Sequence, residues 1–188
     1  MAKIYLFRHG QSEFNLKKVF TGWMDAKLTE LGVEQAKNLG EMLKDKKIDI
    51  AYVSRLSRAQ DTLKEVLIFH PECKTTIVDD RMIERSYGAL AGLGHEETIA
   101  KYGQEQFDKW HRGWNDRPPE GECFADVEIR VQSFIDELKT KYAGQNIGIA
   151  ISAHGNSIRL FRKIMENVTP EEASSWTIPY DQYFEYEI

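Results

Sequence analysis

The chain alternates short apolar runs with longer stretches whose apolar residues recur at helical spacing. The first run, Lys3–Phe7, is rich in strand formers and stops at Arg8-His9-Gly10, which predicts a buried strand. A helix opens at Thr29 or Glu30, with Leu31, Val33, Ala36, Leu39, Gly40 and Leu43 on its inner face. The charged run Lys44–Lys47 ends it. Ile48–Val53 predicts a second strand, followed by a helix to about Phe69 with Ala59, Thr62, Leu63, Val66 and Leu67 inward and Pro71 closing it. Thr75–Val78 is a short third strand.

Asp79–Gly94 is rich in glycine and is expected to lie outside the core. Glu96–Tyr102 predicts a short helix and Phe107–Trp114 an aromatic helical turn. Arg117–Glu122 is turn-rich. Phe124–Tyr142 is the longest predicted helix, with Val127, Ile129, Val131, Phe134, Ile135 and Leu138 as its apolar positions. Asn146–Ser152 is a strand that runs into Ala153-His154-Gly155, and Ile158–Glu166 continues as a helix. Pro170 opens another helix from its first position, and Gln182–Ile188 predicts an edge strand. Alternating strands and helices imply an α/β fold, a three-layer sandwich with a mainly parallel sheet flanked by helices. Without an internal repeat or a linker, residues 1–188 are expected to form a single domain.

Composition narrows the function. A net charge of −5 argues against a general nucleic-acid binder, so any anion site needs a local cluster of cations. No apolar stretch is long enough to cross a membrane, and the first apolar run is too short for a signal peptide. The expected location is cytoplasmic. Cys73 and Cys123 are far apart, lack metal-ligand spacing and are expected to be reduced thiols.

Parallel strands align their carboxyl ends on one edge. That edge would gather Arg8-His9, the Ser54–Arg58 segment and His154-Gly155, with Glu84 nearby. Arg8 offers a planar fork that matches phosphate oxygens. A neutral His9 can attack phosphorus, and Gly10 lets the backbone approach an anion. Ser12 and Asn15 add neutral donors, and Thr21-Gly22-Trp23 predicts a loop with exposed amides. Arg55 and Arg58 share the first turn of a helix whose dipole already favours anions. Arg55 is expected to meet solvent or an acid, and Arg58 to contact phosphate. Glu84 is a candidate acid/base. Arginines beside both histidines oppose a cation, so no metal is expected.

The segments Arg8–Asn15 and Ser152–Ser157 resemble the histidine phosphatase superfamily, and within it the chain is similar to the cofactor-dependent phosphoglycerate mutases. The likeness includes Thr21-Gly22-Trp23, Leu28–Gly32, Ser57-Arg58-Ala59, Glu84-Arg85, Tyr87–Leu90 and Gly121-Glu122. It implies that His9 carries a phosphoryl group, that Arg8, Arg58 and His154 hold its oxygens, and that Glu84 moves the proton. Ser12, Asn15, Thr21, Gly22, Tyr87, His95, Arg112 and Asn156 would line the substrate pocket. It also implies a small phosphorylated metabolite as substrate, 2,3-bisphosphoglycerate as primer, and a monomer or homodimer. The chain departs from the mutase pattern where His95 stands for a lysine and His111 for an arginine. If both reach the substrate, they are expected to titrate near neutral pH and to loosen a bound polyanion as pH rises. The same residues suit a metal-independent phosphatase, and a non-catalytic anion-binding module is the third reading.

Overall fold

A computed structural model describes all 188 residues. Five strands form one sheet in the order β3-β2-β4-β1-β5: β1 (Lys3–Arg8), β2 (Ile50–Val53), β3 (Thr75–Val78), β4 (Gly148–Ala153) and β5 (Tyr183–Glu187). All neighbours are parallel except β5, which runs antiparallel to β1 along the edge. Alternation along β1 sorts its side chains between two cores. Ile4 and Leu6 pack with α6 (Phe124–Tyr142) and α7 (Gly155–Glu166), while Tyr5 and Phe7 pack with α2 (Glu30–Leu43) and α3 (Ser57–Leu67). The three layers are those the alternation implied.

The helix starts follow local chemistry. Thr29 caps α2, its hydroxyl accepting the Gly32 N–H at 3.0 Å, and Thr169 caps α8 (Pro170–Ser175) the same way at 3.2 Å. Two inward assignments do not hold. Leu31 is 49% exposed and Ile129 is 73% exposed, because the buried stripe of each helix is narrower than its apolar periodicity suggests. The assignment of Asp79–Gly94 outside the core is also corrected. Met82, Ile83, Glu84, Arg85 and Leu90 are buried there. Two short 3₁₀ turns, Asp80–Met82 and Gly88–Leu90, fold the segment over the carboxyl end of the sheet. Gly88 permits this with φ +53°; a Cβ on it would lie 2.1 Å from the Pro119 carbonyl oxygen.

Three further helices complete the frame. α1 (Glu13–Leu16) follows β1, and α4 (His95–Tyr102) and α5 (Gln104–Arg112) cover the carboxyl edge. A small cluster of Phe20, Tyr87, Leu90 and Phe107 lies beneath these two. No helix is long and apolar enough to cross a membrane.

Candidate active site

The register of the sheet puts the chemistry together. Arg8 pairs with Ala153, and the His9 N–H donates to the Ala153 carbonyl at 3.0 Å, so His9 and His154 leave adjacent strands side by side. Their ring centroids are 5.0 Å apart. β2 ends in the same row, and Ser54 Oγ shares a 2.7 Å hydrogen bond with His154 Nε2. Gly10 is pressed against α2; a Cβ there would lie 2.1 Å from the Gly32 carbonyl oxygen.

His9 is 1% exposed. Its Nδ1 lies 2.7 Å from the Gly10 carbonyl oxygen, which fixes Nδ1 as the protonated nitrogen and leaves a lone pair on Nε2. Burial first, then the Arg58 and Arg8 charges, holds the ring well below the usual histidine range. His9 is therefore neutral at physiological pH, with the Nε2 lone pair available. The same causes, burial foremost, depress His154, whose Nδ1 is buried without a partner in the protein.

Arg58 is held by two backbone carbonyls: Nη1 donates to Met24 and Nη2 to Gly22, both at 2.9 Å. Gly22 adopts φ +53° to turn its carbonyl that way. Arg8 lies 4.0 Å from the Tyr180 ring centroid and donates from Nη1 to the Ile178 carbonyl at 2.7 Å. Arg55 turns outward and pairs with Asp80, as the sequence suggested.

Glu84 enters from the buried loop. Its Oε1 accepts the Arg85 N–H at 2.7 Å and the Asn156 N–H, in the first turn of α7, at 3.2 Å. Asn156 also donates from Nδ2 to the Tyr87 hydroxyl at 3.2 Å.

These groups surround a cavity of about 200 Å³. Of the residues expected in the pocket, Arg8, His9, Asn15, Thr21, Gly22, Arg58, Glu84, Tyr87, His95, Arg112 and Asn156 line it. Two expected members do not. His154 stands behind His9, fully buried, and Ser12 is spent on capping α1, where Asn15 N–H donates to its Oγ at 3.3 Å. Ser12 thus positions Asn15 instead of facing the cavity.

Arg159 was absent from the sequence reading, yet it lines the cavity at 4% exposure. It pairs with no acid. Nη2 donates to the Trp176 carbonyl at 2.7 Å, Nη1 donates to Asn156 Oδ1, and Nε is buried without a partner. Burial, then the Arg112 charge, draws it down to about 9, so it remains a cation near neutral pH. An arginine on an amphipathic helix ordinarily marks the solvent face, and no sequence signal separates this one. Lys18 and Tyr180 also line the cavity and were not anticipated.

Charge is one-sided here. Arg8, Lys18, Arg58, Arg112 and Arg159 face the cavity, against Glu84 as its one acid. None of these four arginines has a carboxylate partner, so the arrangement suits a ligand with several negative charges.

Both His95 and His111 line the cavity, with ring centroids 5.2 Å apart. His95 stacks on Phe20 at 4.5 Å and His111 on Phe107 at 5.1 Å. Burial, then Arg112, pushes His111 down to about 3, and burial lowers His95. In this packing both are neutral walls, and the expected titration near neutral pH requires a bound anion that favours their charged forms.

Comparison with known proteins places this site in company. The family model described as histidine phosphatase superfamily (branch 1) matches residues 4–187. A protein of Rhizobium rhizogenes named 2,3-bisphosphoglycerate-dependent phosphoglycerate mutase is 43% identical over 175 residues, covering 90% of this chain and 82% of the relative. One of Gloeobacter violaceus, named 2,3-bisphosphoglycerate-dependent phosphoglycerate mutase 2, is 38% identical over 186 residues, covering 96% and 83%. Among solved structures, the α-ribazole phosphatase of Shigella flexneri superposes with a TM-score of 0.86 at 25% identity, covering 99% of this chain and 90% of that one.

Proposed function

The chain belongs to the histidine phosphatase superfamily, branch 1, and from that premise we propose that it is a phosphoglycerate mutase. It would interconvert 3-phosphoglycerate and 2-phosphoglycerate through a phosphorylated His9, in glycolysis and gluconeogenesis. The names of its relatives support this reading. The observation that carries it is the second group of cations. Arg112 and Arg159 lie beyond the Arg8–His9–Arg58 phosphoryl site, without acids. A monophosphate with a neutral tail has no use for them, whereas a phosphoglycerate has a carboxylate, or a second phosphate, to place there.

The residues fit a bisphosphorylated primer. Arg8 Nε, Arg159 Nε and His154 Nδ1 are buried donors or acceptors without protein partners. When bound, 2,3-bisphosphoglycerate would supply the phosphoryl group that loads His9. The chain does the rest. The His9 Nε2 electron pair forms the N–P bond as the P–O bond of the donor breaks. The departing oxygen takes a proton from Glu84, which recovers it from the attacking hydroxyl in the return step. Arg8 and Arg58 stabilise charge on the phosphoryl oxygens, and His154 backs the His9 ring from behind. Arg112 and Arg159 retain the other anionic end while the molecule reorients.

A second reading has one observation in its favour. The neutral His95–His111 wall leaves part of the cavity uncharged, which suits a phosphatase acting on a small phosphorylated metabolite. Incubation with 3-phosphoglycerate, with and without 2,3-bisphosphoglycerate, separates the two. Primer-dependent 2-phosphoglycerate supports the mutase, and free phosphate with no primer dependence rejects it.

A further inference from the structure

Glu84 must meet the oxygen of a breaking bond, yet it sits in a segment without regular strand or long helix. Its backbone is held by two residues that do not line the cavity, Arg130 on α6 and Glu122 just before it. Arg130 Nη1 donates to the carbonyls of Arg81 at 2.7 Å and Ile83 at 2.9 Å. Its Nη2 donates to the Glu84 carbonyl at 3.2 Å and to Glu122 Oε2 at 3.1 Å. Its Nε donates to Glu122 Oε1 at 3.1 Å. Glu122 Oε2 in turn accepts the Ser86 N–H at 2.9 Å, and the Glu122 N–H donates to the Ser86 carbonyl at 2.9 Å. One guanidinium and one carboxylate thus grip the chain on both sides of Glu84.

The pair is only partly exposed, at 17% for Arg130 and 19% for Glu122. All five N–H directions of an arginine form a fixed fork, and Arg130 uses that fork on the carbonyls of Arg81, Ile83 and Glu84 and on an acid. A lysine could hold the charge but not the geometry. The Trp23 indole N–H, 2.7 Å from the Glu84 carbonyl, adds a clamp from the opposite loop.

We propose that the Arg130–Glu122 pair is a positioning device for Glu84, setting the reach of its carboxyl group to the leaving oxygen. The proposal rests on the reading of Glu84 as proton donor. In that step His9 Nε2 gives its electron pair to phosphorus, the P–O bond breaks, and the departing oxygen keeps that bond's electrons and binds the Glu84 proton. A leaving group that is stable as an anion needs no such proton.

The test compares phosphoenzyme formation in single turnovers from phenyl phosphate and p-nitrophenyl phosphate. Neither probe has a distal anion, so both are insensitive to Arg112 and Arg159. In Arg130→Lys and in Glu122→Gln, the rate from phenyl phosphate should fall about tenfold to a hundredfold, a part of what a well-placed general acid supplies. The rate from p-nitrophenyl phosphate should stay within about threefold, since its leaving group departs unprotonated. Glu84→Gln should show the same selectivity. Equal losses for both probes in Arg130→Lys and Glu122→Gln, with Glu84→Gln selective, would overturn the positioning role alone. A Glu84→Gln variant without selectivity would remove the premise, and the proposal with it. Loss of the folded state in both brace variants, read by circular dichroism, would assign the pair to stability and equally overturn it.

Discussion

Arg58 Nε lies 3.3 Å from His9 Nε2, so the lone pair of that ring faces a permanent cation. The guanidinium opposes protonation of the ring, and in the proposed reaction it would also meet the phosphoryl oxygens. In the proposed reaction one residue would therefore keep the ring neutral and receive the transferred charge.

Arg58→Met should separate these effects. Phosphoenzyme formation should slow by about 10²- to 10³-fold, the usual loss for one charge-stabilising donor. The His9 ring, followed by NMR titration, should stay neutral well below pH ~6.5 in the wild type and move upward in the variant. It would remain depressed in part, because burial is the larger cause. An unchanged His9 titration would remove Arg58 from control of its protonation.

Stability should fall on acidification through buried histidines. His9, His154 and His111 all have folded values below the unfolded one. Below about pH 6.5 the unfolded chain binds protons that the fold refuses, so their contribution is full above that pH and declines as pH falls. For His111 the decline runs down to about 3. His111→Phe fits the cluster of Phe20 and Phe107 and should flatten the slope of Tm against pH. Melting curves from pH 7.5 to pH 4 check this in buffers of equal ionic strength; an unaltered slope counts against the assignment.

Arg159→Met should weaken retention of the distal anion more than the phosphoryl step. The affinity for 2,3-bisphosphoglycerate should drop about tenfold to a hundredfold, the worth of hydrogen bonds to a charged group. Phosphoenzyme formation from p-nitrophenyl phosphate should change little. A variant that binds the primer normally would place Arg159 outside the substrate's reach.

The neutral lid wall makes a clear statement about pH. Between about pH 7 and pH 8 the ratio of 2-phosphoglycerate to free phosphate should be flat, since neither His95 nor His111 titrates there. His95→Lys adds a charge to that wall and should raise the ratio. A ratio that falls steeply with pH in the wild type would show that bound anions bring these rings back to their ordinary range.

Much of this site was legible because strand ends announce themselves. The apolar runs before Arg8-His9 and His154-Gly155 are β1 and β4, and the parallel register joins them as expected. Thr29 and Pro170 marked helix starts through their own local chemistry. Burial of the Asp79–Gly94 segment was not legible, since glycine-rich composition reports turn chemistry and not what covers it. Arg130 and Arg159 escaped for a related reason. Each lies on a helix at a position where charge usually meets water, and only tertiary contacts give it another task. The neutral state of His111 needed the stack of aromatic rings around it, which no local pattern encodes.

The strand order has a consequence for biosynthesis. β1 leads directly into His9 and is made first, but its two neighbours are β4 and β5, both from residues after Ile147. About 140 residues separate β1 from β4, which at about 5–20 residues per second is roughly seven to thirty seconds of translation. Throughout that time the apolar side chains of β1 have no partner in the sheet, which favours chaperone capture and disfavours early folding. Arg8, His9 and His154 therefore come together in one late step, and a growing chain passes through no stage with half of a catalytic centre.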